Sequence, residues 1–274
     1  MERIRHCLTI AGSDCSGGAG IQADIKTFSA LGCYGMSVIT AVVAENTARV
    51  LSSVAVPQRS ISDQLEAVFS DIRADGVKIG MLPNRGAALA VAEALRKYSP
   101  QIAVCDPVMI ATAGAELMDG SALSVLVSDI LPLCTLLTPN IPEAETLTGM
   151  EIRSPDDMKR AAEKIHGMGA RYVLVKGGHL DGAAEDILYD GKDFSLYSHE
   201  RIDTNTTHGT GCTLSSAITA YMARGSSVYD AVREAKSYLT GAIAHGLDIG
   251  QGHGPANHFY RLWEEHIDGI GEAM

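Results

Sequence analysis

Residues 7–31 read Cys7-Leu8-Thr9-Ile10-Ala11-Gly12-Ser13-Asp14-Cys15-Ser16-Gly17-Gly18-Ala19-Gly20-Ile21-Gln22-Ala23-Asp24-Ile25-Lys26-Thr27-Phe28-Ser29-Ala30-Leu31. A short apolar run from Cys7 to Ile10 stops at Ala11-Gly12-Ser13-Asp14, a glycine loop follows, and Ile21 to Leu31 is patterned as a helix. The unit recurs downstream. Ser37 to Ala44 is rich in Val, Ile and Thr, and Gly76–Ile79, Ile102–Cys105, Thr135–Leu137 and Tyr172–Val175 are further apolar, strand-like runs. Helical patterns separate or follow them at Ile61–Ile72, Ala87–Tyr98, Ala122–Val127, Ile141–Thr148 and Pro155–Met168. Such alternation predicts an α/β fold, a mostly parallel central sheet flanked by helices. Asp186–Tyr189 and Asp193–Tyr197 flank Asp190-Gly191 and predict a hairpin at the sheet edge. Val228–Ala244 predicts one long helix after the stop at Arg224-Gly225.

With 274 residues, 46% of them hydrophobic, and no Pro/Ser/Gly tract or charge run to divide them, the chain is expected to form one domain over 1–266. Residues 267–274 are expected to be a frayed tail. The net charge of -11 comes without a basic stripe, which argues against nucleic acid or an anionic membrane and favours a small-molecule partner. Six cysteines without a C-x-x-C pair are expected to be free thiols in the cytoplasm. No signal-peptide pattern and no bilayer-length apolar run are evident.

In a parallel sheet, functional groups gather at the carboxyl ends of strands, and Gly12, Glu45, Met81, Asp106, Asn140 and Lys176 all fall there. His208-Gly209-Thr210-Gly211-Cys212 leads into an apolar helix and reads as a nest of N–H groups at a helix N-terminus. A phosphoryl group in flight is the natural anion for such a nest, so phosphoryl transfer is the leading chemistry. Gly209, Thr210 and Gly211 would cradle the anion. Cys212 is expected to ionise more readily than a free thiol near 8.5 and to accept a hydroxyl proton, unless it is only a buried cysteine after a structural turn.

Asn140-x-x-Glu143 supports two readings. With Asp106 it offers hard oxygen ligands for Mg²⁺ beside phosphates; alternatively, Asn140 caps a helix and Glu143 completes the capping box. Lys176 before two glycines offers a cation to a closely approaching ligand. Asp24 is either a carboxylate for a substrate hydroxyl or a favourable charge in the first helical turn. Gly18-x-Gly20-x-x-Ala23 with Glu45 formally matches a dinucleotide fingerprint, yet the run from Ala11 to Gly17 is too long for its tight first turn. No G-x-x-x-x-G-K-[ST] occurs, so a P-loop is excluded. His253 and His258 fit no compact zinc spacing and are assigned no role.

Together these motifs resemble, nearly end to end, the hydroxymethylpyrimidine/phosphomethylpyrimidine kinases of thiamine biosynthesis, within the ribokinase-like superfamily. The resemblance is carried by Thr9–Asp14, Gly17–Thr27, Lys78–Leu82, Asp106–Met109, Thr138–Asn140, Lys176–His179, His208–Thr213 and Gly252–Pro255. It implies a ribokinase-like three-layer fold and ATP-dependent phosphorylation, with Mg²⁺, of a pyrimidine hydroxymethyl group and then of its monophosphate. It further implies Cys212 as the proton acceptor, Lys176 with Gly209–Gly211 on the phosphates, and Gly12, Asp24, Met81 and Val108 around the pyrimidine. A homodimer is the expected assembly. One position departs: the family pattern reads Ala-Gln-Asn where this chain has Ala44-Glu45-Asn46. An ionised glutamate only accepts hydrogen bonds, which makes pyridoxal or pyridoxine of vitamin B6 salvage the alternative substrate.

Overall fold

The computed structural model describes residues 3–110, 114–178, 184–199 and 201–263; the tail expected at 267–274 lies outside them. The strands are β1 (Arg5–Asp14), β2 (Cys33–Glu45), β3 (Val50–Ala55), β4 (Gly76–Ile79), β5 (Ala103–Cys105), β6 (Leu136–Leu137), β7 (Tyr172–Lys176), β8 (Ala184–Tyr189) and β9 (Phe194–His199). Among the described residues they form one sheet in the order β3-β2-β1-β4-β5-β6-β7-β8-β9. From β2 across to β7 every neighbour is parallel, while β3, β8 and β9 add antiparallel margins.

The helices are α1 (Gly20–Ala30), α2 (Gln58–Phe69), α3 (Arg85–Tyr98), α4 (Gly120–Val125), α5 (Ile141–Thr148), α6 (Pro155–His166), α7 (Thr210–Ala223) and α8 (Val228–Ala244). Their ends follow local chemistry. Asn84, Asp119, Ser154 and Ser227 each accept an amide of the first turn, and Gly149 takes the left-handed conformation that stops α5.

Alternation along the strands sends successive side chains into different cores. Leu8, Val77, Cys105, Leu137 and Val173 pack with α2 to α6. Cys7, Val104, Leu136, Leu174 and Leu188 pack with α1, α7 and α8 on the other face. The result is helix, sheet, helix in three layers, as expected.

Two local expectations need correction. The stretch Ala11–Asp14, read as loop, continues β1, because after a register shift at Ala11/Gly12 it pairs with Ala41, Val42 and Val43 of β2. The edge strand β3 was not anticipated: its Leu51, Ser52, Ser53 and Val54 are all exposed and show no apolar alternation. All six cysteines are free thiols, and no described helix is long and apolar enough to cross a membrane.

Candidate active site

Gly209 caps α7 with a left-handed φ of 75°, and a Cβ there would overlap the carbonyl oxygen of Gly18. The two glycine segments predicted as separate loops therefore dovetail. Gly18 in turn lies against the ring of His208, leaving no room for a side chain. Thr210, Gly211 and Cys212 form the first turn of α7; the Thr210 amide donates to the Thr207 carbonyl at 3.4 Å, and the Gly211 and Cys212 amides with the helix dipole make that end an anion site.

Lys176, the last residue of β7, places its Nζ 2.8 Å from Asp106 Oδ1, and the Thr138 hydroxyl donates to the same oxygen at 3.2 Å. Both groups face α7: a Cβ built on Gly211 would lie 3.3 Å from Asp106 Oδ2 and 3.4 Å from Lys176 Nζ. Burial alone would lower the Lys176 ammonium, but Asp106 and then Glu143 outweigh it and raise it above its ordinary value. Lys176, Asp106, Gly209–Gly211 and Cys212 all line one cavity of about 670 Å³.

Asn140 and Glu143 line the same cavity and hold one another as a capping box. The Glu143 amide donates to Asn140 Oδ1 at 2.9 Å, and the Asn140 amide to Glu143 Oε2 at 2.8 Å. Burial raises Glu143 to about 7; Lys176 pulls it down and Asp106 pushes it further up. A carboxyl held there beside Asp106 becomes more acidic when a cation arrives, a response suited to a hard divalent ion.

Cys212 reverses its sequence-based expectation. Removal from water pushes the thiol up to about 11, although the buried Lys78 ammonium and a hydrogen bond from the Gly20 amide both favour the thiolate. The sequence identified the helix N-terminus but not the low dielectric around it.

Asp24 is also corrected. It is fully buried, with Lys78 Nζ at 2.9 and 3.0 Å, the Thr9 hydroxyl at 2.6 Å and the Ser216 hydroxyl at 2.6 Å, so it is not presented to the cavity. Gly12 and Met81 pack together, a Cβ on Gly12 lying 2.8 Å from Met81 Sδ, and Met81 belongs to the apolar cluster on which Val108 packs. Glu45 and Val108 line the cavity. Val108 and Leu117 pack on the small apolar cluster of Ala41, Val43 and Met81, which gives the cavity a greasy wall next to its charged end.

Two features escaped the sequence reading. Lys78 lies inside an apolar strand, and a buried ammonium requires a partner, a signal that would have paired it with Asp24. Asp14 accepts from the Ser16, Gly18 and Ala19 amides, the Ser16 hydroxyl and His208 Nε2 at 2.7–3.0 Å. Burial would raise that carboxyl, but His208 and then Ser16 and Ala19 hold it down at about 2. His253 donates its amide to the Thr47 carbonyl at 2.9 Å, and buried His258, pushed down to about 4, lies 3.1 Å from the Thr213 hydroxyl.

A sequence model of the phosphomethylpyrimidine kinase family matches residues 14–257. The chain is 49% identical over 262 residues to the hydroxymethylpyrimidine/phosphomethylpyrimidine kinase of Rhizobium meliloti (strain 1021), covering 94% of this chain and 98% of that protein. It is 51% identical over 252 residues to the thiamine biosynthesis bifunctional protein ThiED of Geobacter sulfurreducens, covering 92% of this chain and 51% of that longer protein. An ADP complex of Bacillus subtilis pyridoxal kinase superposes with a TM-score of 0.89 at 39% identity, covering 95% of this chain and 99% of that one.

Proposed function

The chain belongs to the phosphomethylpyrimidine kinase family, and we propose that it phosphorylates 4-amino-5-hydroxymethyl-2-methylpyrimidine with ATP, and then its monophosphate to the diphosphate, in thiamine biosynthesis. The observation that carries this reading is the convergence of Lys176, Asp106, the amides at Gly211 and Cys212 on one cavity that also has an apolar wall for a ring.

Phosphoryl transfer asks the protein mainly for position and charge. The first-turn amides of α7 and Lys176 stabilise negative charge on the transferring group. Asp106 keeps Lys176 aimed at the helix end. Cys212 receives the hydroxyl proton, and Lys78 with the Gly20 amide supports the negative sulfur before that transfer. Val108 and Leu117 exclude water along the ring.

The donor set fits Mg²⁺: Asp106 and Glu143 are hard oxygen groups, and Asn140 fixes Glu143 in place. When bound, the ion supplies neutralisation of phosphate charge.

An ATP-dependent assay on three substrates tests the proposal. Hydroxymethylpyrimidine and its monophosphate are both expected to be turned over with higher kcat/KM than pyridoxal, and the opposite ranking assigns the site to vitamin B6 instead. The exposed Val42, Leu51 and Val54 on β2 and β3, at 54%, 63% and 65% exposure, support a homodimer formed over this margin of the sheet. Light scattering is expected to give twice the chain mass, falling to the monomer in a Leu51→Lys/Val54→Lys variant. A wild-type monomer would refute the dimer. The free thiols agree with a cytoplasmic site of action.

A further inference from the structure

Glu45 ends β2 where its pairing with β3 slips between Ala44 and Glu45, and its side chain lines the cavity. Its carboxyl, the Asp14 carboxyl and the His208 ring offer ligand atoms that all lie within 4.8 Å of one another. Those three groups are not equivalent. Asp14 already accepts from three amides, a hydroxyl and His208, and His208 Nε2 is committed to Asp14 at 2.9 Å. A metal ion would have to displace that network. Glu45, by contrast, has no side-chain hydrogen bond among the described residues, so it is the member of the cluster with acceptor capacity for a ligand.

We propose that Glu45 binds the amidine edge of the aminopyrimidine in a singly protonated pair, so that docking of the ring takes up one proton from solvent. This rests on the substrate proposed above. The neutral edge presents one N–H donor, on the exocyclic amine, and one ring-nitrogen lone pair. A carboxylate only accepts, so one of its oxygens would face that lone pair across a repulsive gap. One proton, on Glu45 or on the ring nitrogen, converts the mismatch into two parallel hydrogen bonds, the stronger for being charge-assisted.

The surroundings favour protonation. Burial and then the Asp14 charge raise Glu45 above its ordinary value, with His208 opposing them. Asp14 faces it from β1 and His208 from the segment before α7. Cys15 donates its thiol to the Glu45 carbonyl at 3.2 Å, and the His253 amide holds the Thr47 carbonyl in the turn that follows.

Calorimetry of hydroxymethylpyrimidine binding to the full-length enzyme, without ATP and in buffers of different ionisation enthalpy, counts the proton directly. The wild type is expected to take up close to one proton at pH 8, and Kd should weaken about tenfold per pH unit above the ionisation of both partners. Glu45→Gln, which carries its own N–H donor, is expected to take up none and to give a flat Kd over the same range. Proton uptake absent from the wild type, or unchanged in Glu45→Gln, overturns the inference. The wild-type count stands even if the variant fails to fold. Phosphorylation of the pyrimidine without proton uptake sinks this inference alone, whereas absence of any binding or phosphorylation sinks the parent reading together with it.

Discussion

Cys212→Ala is expected to lower turnover by about 10² to 10⁴, the range for loss of a general base, with KM for the pyrimidine largely kept. Cys212 sits in the first turn of α7, receives a hydrogen bond from the Gly20 amide that begins α1, and feels the buried Lys78 ammonium. Two helix N-termini and a cation thus face one sulfur, while burial keeps its thiol at about 11. At pH 7 only roughly one molecule in 10⁴ would carry the thiolate. That scarcity is offset by strength, since a thiolate of this basicity is a good acceptor for a hydroxyl proton. The sign is therefore fixed: the proton-accepting form grows as pH rises toward 11. Peptide-resolved alkylation of Cys212 in the free enzyme should accelerate with pH from 7 to 10 without levelling. Levelling near 8, or an alanine variant within threefold of wild-type turnover, would remove Cys212 from proton transfer.

Much of the architecture is legible in the sequence because it rests on local rules. Parallel strands buried on both faces read as continuous apolar runs, so Gly76–Ile79 and the helix Ile141–Thr148 are predicted with the bounds they have. The missed β3 has no such signature; it is held by pairing to β2 and leaves its side chains in water. The candidate site follows the same division. Gly209–Gly211, Lys176 and Asp106 are found because strand and helix ends must converge in this topology, and the cavity brings them together. The state of a residue is less accessible than its place. Whether Cys212 is acidified by a helix dipole or made basic by burial depends on what packs around it from residues 20 and 78, far away in the chain. Asp24 illustrates the same limit: read as a charge in the first helical turn, it is the fifth residue of an α1 that starts at Gly20, and its burial against Lys78 is set by contact between α1 and β4.

Asp24→Asn is expected to destabilise the fold by about 3–5 kcal/mol, read as a lower denaturation midpoint at unchanged slope, because it leaves an uncompensated ammonium in the core. Lys78 and Asp24 are both 0% exposed, and the pair is completed by the Thr9 and Ser216 hydroxyls. Burial would strip the proton from Lys78, yet Asp24 first, and then Cys212 and Asp106, hold it above its ordinary value, so the charge persists in the variant's core only at high cost. A buried ion pair is weak support for stability compared with an apolar pair of similar size. Asp24→Leu with Lys78→Met should accordingly regain most of the lost stability. The double variant separates folding from chemistry. It removes the cation that favours the Cys212 thiolate together with the smaller opposing charge of Asp24, so on balance the thiolate loses support: turnover should stay at least tenfold below wild type while Cys212 alkylation slows at every pH up to 10. Recovery of stability together with full turnover would mean that the pair serves the fold alone and that Cys212 works without the ammonium behind it.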